Sequence, residues 1–478
     1  MDLFDKDLLS IQEVRALFEK AKKAQKVFAE FSQEKIDEIV KDVAYSCLEH
    51  SARLAELAVK ETGFGRYEDK IIKNTFASKI VYESIKNMKT IGIINEIKEK
   101  KIIEIGMPVG IVAALVPSTN PTSTTIFKSL ISIKSGNAVI FSPHPAAINC
   151  ITETVTLINS VLAKHNVPEG LISCMSIPTL EGTEELMKLA SFVVATGGAS
   201  MVKAAYKSGT PALGVGPGNV PAFIERSADI SLAVKRIIES KVFDNGVICS
   251  SEQAIITEKC IENEVKAEIE KQGGYFVYGN DLKKLGNLIQ KGDGSLNTQI
   301  VGQIPEKIAS MAGISIPKGT KVLVCEQDGV GKNYPFSREK LSPILAFYTV
   351  ENWEKACERS IELLNYGGLG HSLSIHSYNE EIIMKFALKK PASRILINTG
   401  STYGAIGATT NLFPSLTLGC GAIGGSATSD NVSPMHLINI KRVAYGVREV
   451  EEIANEKKDE RWDVDTIVKL VLKKLSEN

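Results

Sequence analysis

The sequence carries few of the features that would tie it to a metal, a membrane or a polyanion. Its eight cysteines are scattered over 478 residues with no C-x-x-C pair. That spacing excludes a disulfide framework and gives no zinc signature. The six histidines show no H-E-x-x-H or other ligand spacing, so no metal site is expected. Neither sign of charge is in excess, with 56 Lys+Arg against 56 Asp+Glu, which removes any reason to expect nucleic acid. No run approaches the ~20 consecutive apolar residues of a membrane span. The opening MDLFDKDLLS has three acids and no apolar h-region, so it does not read as a signal peptide. These absences point to the cytoplasm and to reduced thiols available for chemistry.

What is present is a globular composition, 44% hydrophobic and 23% charged, at a length that implies more than one domain. The first ninety residues read as helices. Ser10 with Glu13 has the form of a capping box, followed by Val14, Leu17, Phe18 and Ala21 at helical spacing. Residues 93–107 alternate charged and β-branched residues, as an exposed hairpin would. Apolar strands then alternate with helices: strands at 110–117, 137–143, 170–177 and 191–196, and a helix over 123–135. That rhythm predicts an α/β architecture with parallel sheets. It restarts after Cys249, with strands at 252–258, 321–326 and 344–350 and a helix over 260–272, so a second α/β lobe is expected. At the C-terminus a charged stretch at 450–462 reads as a linker. Residues 463–475 then place Val464, Ile467, Val468, Val471, Leu472 and Leu475 on one helical stripe.

Five places could carry chemistry. Cys249 lies in FDNGVICSSEQA (243–254), where Asn245-Gly246 allows a sharp turn and two apolar residues seat the loop. A nucleophile needs such an anchored, accessible position. Most free cysteines are inert core residues, however, and Cys420 in LGCGAIGG is also flanked by glycine, so local texture does not separate the two. Gly197 and Gly198 in ATGGASMVKAA (195–205) stand between a strand and a helix, as a phosphate-binding turn or as a plain glycine turn. Asn120 in LVPSTNPTS (115–123) stands at a helix start, where a cap is the commoner role and an oxyanion donor the other. Glu339 reads locally as a solvated loop residue, and His371 in YGGLGHSLS as a hydrogen-bonded loop histidine, with ligand contact or a role as a base as the alternatives its glycine neighbours leave open.

Taken together and in order, these stretches resemble the aldehyde dehydrogenase superfamily, and within it the CoA-acylating branch near the aldehyde dehydrogenase half of bifunctional aldehyde-alcohol dehydrogenases. The motifs are PSTNPTST (117–124), SPHPAA (142–147), ATGGASMVKAAY (195–206), GVGPGNVPA (214–222), FDNGVICSSEQ (243–253), EKLSPILAFY (339–348), PSLTLGCGAIGG (414–425) and HLINIKRVA (436–444). The resemblance spans roughly residues 8 to 448. It implies a Rossmann-like cofactor lobe (1–92 and 108–240), an α/β catalytic lobe (241–429) and a β-hairpin oligomerisation arm (93–107 with 430–446). Residues 450–478 lie outside that fold.

The same resemblance implies roles. Cys249 is the nucleophile, and Asn120 completes an oxyanion hole with the Cys249 N–H. Gly197 and Gly198 flank the pyrophosphate of NAD, and Glu339 binds the nicotinamide ribose. Hydrolytic members carry a glutamate in the loop that here reads GVGPGNVPA, with no carboxylate, so CoA is the expected co-substrate. The usual Lys-Pro-Ser-Glu segment is replaced by Ser142-Pro143-His144-Pro145. Pro143 and His144 then border the adenosine, and NADP stays open beside NAD. Acetaldehyde is the substrate by branch, with propionaldehyde or a charged two-carbon aldehyde as alternatives. The chain ends before an iron-dependent alcohol dehydrogenase domain would fit, which reads as a stand-alone enzyme. A homodimer or dimer of dimers is implied. The C-terminal helix resembles the terminal encapsulation helices of microcompartment enzymes, which would dock it to a shell; packing on its own subunit is the alternative. The rival readings are a hydrolytic aldehyde dehydrogenase and a catalytically silent nucleotide-binding assembly protein.

Overall fold

The computed structural model describes residues 5–453 and 464–477. Its first helix, Lys6–Phe28, starts earlier than the sequence suggests, because Asp5 accepts from the Asp7 and Leu8 N–H groups and serves as the cap. Ser10 and Glu13 therefore form no capping box. Ser10 Oγ donates to the Ile177 carbonyl at 2.5 Å, and Glu13 accepts from the Ser176 and Ile177 N–H groups at 2.8 and 3.0 Å. Both tie the helix to a distant loop.

Three sheets organise the fold. The hairpin strands β1 (Gly92–Ile97) and β2 (Ile102–Pro108) pair antiparallel, and β15 (Ile438–Ala444) adds to β2 across more than 300 residues of chain. The arm expected from two separate stretches is thus one three-stranded sheet, in the order β1-β2-β15.

The first large sheet contains β3 (Ile111–Val116), β4 (Ala138–Pro143), β5 (Ile172–Cys174), β6 (Phe192–Thr196) and β7 (Ala212–Val215), in the order β5-β4-β3-β6-β7. All its pairings are parallel. Every residue of β3 and β4 is buried, as expected where helices cover both faces. The strand foreseen over 170–177 is shorter, ending at Cys174. The helix Ile148–Lys164 sits within a segment, Pro145–Lys164, that is long and apolar enough to span a membrane by length and composition. Here it presses Ile151, Ile158, Val161 and Leu162 into the main core, so its apolarity is accounted for by packing.

The second large sheet is also parallel. It contains β8 (Val220–Ile224), β9 (Glu252–Glu258), β10 (Gly274–Phe276), β11 (Val322–Glu326), β12 (Ile344–Val350), β13 (Gly370–His376) and β14 (Ala392–Ile397), in the order β10-β11-β12-β9-β8-β13-β14. This moves the boundary between lobes. β8 and the helix Ile230–Val242 belong with the second sheet, sharing a core of Ala222, Val234, Ile237, Ile255 and Phe347, so the lobes part near Val215 and not at 240. The chain then returns: Leu396, Ile406, Leu418, Val432 and Leu437 pack into the first core. The helix foreseen at 463–475 is observed as Val464–Ser476, with every described residue exposed. Residues 454–463, most of the expected linker, lie outside the described residues.

Candidate active site

The turn before Cys249 is held in an unusual backbone conformation. Asp244, Asn245 and Gly246 have φ of 49°, 52° and 77°, three left-handed residues in a row. Only glycine adopts this region freely, so the two L-residues need support from their surroundings. A fully buried ion cluster supplies it. Asp244 Oδ2 accepts from Lys70 Nζ at 2.9 Å and Lys73 Nζ at 2.5 Å, and Oδ1 accepts from the Arg66 N–H at 2.7 Å. The Asp244 N–H donates to Asp69 Oδ2 at 2.8 Å. Such a charge is tolerable in the interior only because it is paired and fully hydrogen-bonded. Gly65 leaves room for it: a Cβ there would lie 1.9 Å from Asp244 Oδ1.

Beyond this turn Cys249 emerges, partly accessible, on the wall of a cavity of about 470 Å³. The same cavity is lined by Asn120, Pro143, His144, Gly197, Gly198 and Glu339, so every residue to which the resemblance gives a catalytic or cofactor role meets here, whereas His371 and Cys420 do not line it. Cys249 and those six lining residues come from five chain segments and both lobes. Burial first, then the Glu339 carboxylate, pushes the Cys249 thiol up to about 12, so the resting group is a thiol and not the thiolate its role suggests.

Asn120 stands at the N-terminus of the helix Pro121–Lys134 but does not cap it. Its Oδ1 accepts from Lys73 Nζ at 2.6 Å, and its Nδ2 donates to Thr119 Oγ1 at 3.2 Å. The cap reading therefore fails. Pro121 at the first helical position removes one of the N–H groups a cap would satisfy. Gly197 and Gly198 precede the helix Ala199–Lys207, whose first N–H groups lack intrahelical acceptors. A Cβ on Gly198 would meet nothing within 4 Å, so open space lies at a helix N-terminus, as a pyrophosphate requires. Ser142 bonds Thr183 Oγ1 at 2.8 Å, and the pair lines the cavity together with Pro143 and His144. These residues fit a dinucleotide.

The loop 214–222 closes against the nucleophile. Gly218 N–H donates to Glu339 Oε1 at 3.0 Å. Burial raises Glu339 to about 7, so it is not the solvated loop residue its local sequence suggests. His371 is likewise no loop residue. It is buried in β13, with Nδ1 3.1 Å from Ser372 Oγ and Nε2 unpartnered, and burial lowers it to about 3. Its ring lies behind Gly218 and does not line the cavity. Cys420 is buried away from the cavity, within 3.6 Å of the Leu418 carbonyl.

Sequence reasoning missed Lys70, Lys73 and Asp244. The signal was the i, i+3 lysine pair on a helical stretch, EDKIIKN, which reads as an ordinary solvated face until the long-range partner is known. It also missed Lys128, buried, donating to the Leu115 and Val194 carbonyls at 2.6 and 2.9 Å and so locking β3 to β6 beneath the site.

Comparison with known proteins accords with this geometry. The aldehyde dehydrogenase family model matches residues 7–409. The chain is 46% identical to aldehyde-alcohol dehydrogenase of Clostridium acetobutylicum, covering 91% of this chain and 51% of that protein, so it spans about half the length of that relative. It is 54% identical to the solved acetylating aldehyde dehydrogenase of Geobacillus thermoglucosidasius, covering 94% of this chain and 99% of that one, with a TM-score of 0.92. A propionaldehyde dehydrogenase from the Clostridium phytofermentans fucose utilisation bacterial microcompartment is 28% identical over 90% of this chain and 97% of that one, with a TM-score of 0.81. With its two parallel sheets, its three-stranded arm and a cysteine and asparagine facing one cleft, the chain belongs to the aldehyde dehydrogenase family.

Proposed function

We propose that the chain oxidises a short-chain aldehyde, acetaldehyde first, with NAD and coenzyme A to an acyl-CoA, reversibly, through a thioester on Cys249. The observation that carries this reading is the pairing of Cys249 and Asn120 on one cavity with a carboxylate-free loop, Gly214 to Ala222, closed against the nucleophile. Cys249 Sγ adds to the aldehyde carbon as the C=O π bond opens onto its oxygen, and the thiol proton passes to water in the cavity. Asn120 Nδ2 and the Cys249 N–H hold the oxyanion. The Gly197–Gly198 turn and Glu339 hold the dinucleotide, whose nicotinamide supplies the hydride acceptor when bound. Discharge of the thioester by water needs a group to take a proton, worth about 10²–10⁴-fold, and the loop offers none. A thiol is intrinsically the better nucleophile, and coenzyme A supplies one.

Two finer readings accompany it. The arm sheet β1-β2-β15 leaves Ile93, Met107, Ile440 and Val443 exposed, which suits burial in a homodimer or dimer of dimers. The helix Val464–Ser476 exposes its whole apolar stripe, which suits docking to a microcompartment shell.

The test is product analysis. With aldehyde and NAD but no CoA, NADH should appear in a burst of at most one per active site and then slowly. CoA should restore steady turnover and yield acyl-CoA. Sustained NADH formation without CoA, with free carboxylic acid as product, would replace this reading with the hydrolytic one. Initial rates with NAD and NADP across a panel of aldehydes would settle cofactor and substrate.

A further inference from the structure

We propose that Lys73 is a positioning residue that sets the Asn120 amide and the Cys249 turn in one catalytic geometry. The inference rests on the oxyanion role given to Asn120 above. Lys73 is buried, and its Nζ makes three hydrogen bonds: to Asn120 Oδ1 at 2.6 Å, to Asp244 Oδ2 at 2.5 Å and to the Val247 carbonyl at 2.9 Å. An ammonium has three donors and no acceptor, so all three are used. The chemistry also fixes which way the amide faces. Only a carbonyl oxygen can meet an N–H donor, so Lys73 takes Oδ1 and turns Nδ2 away from itself. Thr119 Oγ1 accepts one Nδ2 proton at 3.2 Å, and the second remains for a ligand in the cavity that Asn120 lines. Without Lys73 the amide would be free to rotate, and the flipped form would present a carbonyl oxygen to a developing oxyanion.

The same ammonium holds the turn that carries Cys249. Val247 and Asp244 lie two and five residues before the nucleophile, and Asp244 is one of the left-handed residues that need support. One cation thus bridges the helix Tyr67–Thr75, the oxyanion side chain and the nucleophile turn. The neighbouring Lys70 also binds Asp244, and its further bond goes to the Thr119 carbonyl at 3.1 Å, not to the Asn120 amide. The two lysines are therefore not equivalent: both neutralise Asp244, and Lys73 alone of the pair holds Asn120 Oδ1.

A double-mutant cycle separates positioning from charge neutralisation. Lys73→Met, Asn120→Ala and the combined variant of the full chain would be assayed with acetaldehyde, NAD and CoA. Lys73→Met should lower kcat by about 10²-fold with little change in KM, near the loss from removing an oxyanion donor itself. The combined variant should be no more than a few-fold worse than Asn120→Ala. Alkylation of Cys249 by iodoacetamide uses no oxyanion, and its rate should shift far less than kcat. Multiplying losses in the combined variant, or near-full kcat in Lys73→Met beside a crippled Asn120→Ala, would overturn the proposal. Near-full kcat in Asn120→Ala would instead sink the oxyanion reading on which it rests. Should Lys73→Met not fold, the pair Lys73→Met/Asp244→Asn removes a cation and an anion together, keeps the net charge of the cluster, and enters the same cycle. If that pair also fails to fold, Lys73 is structural and the proposal falls.

Discussion

Gly218 approaches Cys249 so closely that a Cβ on Gly218 would lie 2.0 Å from the Cys249 carbonyl oxygen and 3.3 Å from the His371 ring. The loop that lacks a carboxylate is therefore packed directly on the backbone of the nucleophile. Gly218→Ala should push the two apart and lower kcat at least tenfold, with a lower thermal midpoint. Gly216, two residues earlier, has nothing within 4 Å of the Cβ position, and Gly216→Ala should keep most activity. Equal kinetics for the two variants would show that the contact is soft.

Cys249→Ala should abolish aldehyde oxidation and leave the fold and NAD binding intact, because the thiol on the cavity wall is the only one among the eight that lines it. Cys420→Ala removes a buried sulfur and should cost stability more than turnover. Loss of all activity in folded Cys420→Ala would contradict a single nucleophile.

Glu339 gives a pH signature with a definite sign. Burial raises its carboxyl to about 7, against about 4.3 in an unfolded chain. Between those values the folded state keeps a proton that the unfolded chain has lost, so this group's contribution to stability falls as pH rises from about 4 to 7 and is level above. Glu339→Gln keeps an acceptor for Gly218 and removes the titration. Its thermal midpoint minus that of the wild type should rise from pH 5 to 7. The same variant removes a negative charge that raises the Cys249 thiol, second to burial. Alkylation of Cys249 by iodoacetamide near pH 8 should accelerate. Parallel stability curves together with unchanged alkylation would mean that Glu339 ionises normally.

Truncation before residue 450 should leave turnover and thermal midpoint nearly unchanged, because every described residue of the helix Val464–Ser476 is exposed. Co-sedimentation with shell proteins should be lost. A drop of several degrees in midpoint would place the helix on its own subunit instead.

The sequence by itself determined what depends on local pattern. The alternation of apolar strands and amphipathic helices dictated two parallel sheets, because each strand must be covered on both faces. The β-branched hairpin at 93–107, the sharp turn at Asn245-Gly246 and the glycine pair at 197–198 were legible because turn chemistry is set within a few residues. Ordered motifs along the chain carried the family and the candidate residues.

Tertiary structure decided whatever depends on a partner far away in the chain. Ser10 and Glu13 have the spacing of a capping box, yet their partners lie more than 160 residues downstream. Asn120 sits where caps sit, but a lysine 47 positions earlier claims its oxygen. The lobe boundary moved because β8 found its partners in β9 and β13, and sequence periodicity does not say which sheet a buried strand joins. His371 and Glu339 look like loop residues, and only their neighbours bury the one and half-bury the other on the cavity wall. The buried Lys73–Asp244 pair follows the same rule. Two charged residues 171 apart are stable in the interior only together, and neither position shows in the sequence that the other will be there.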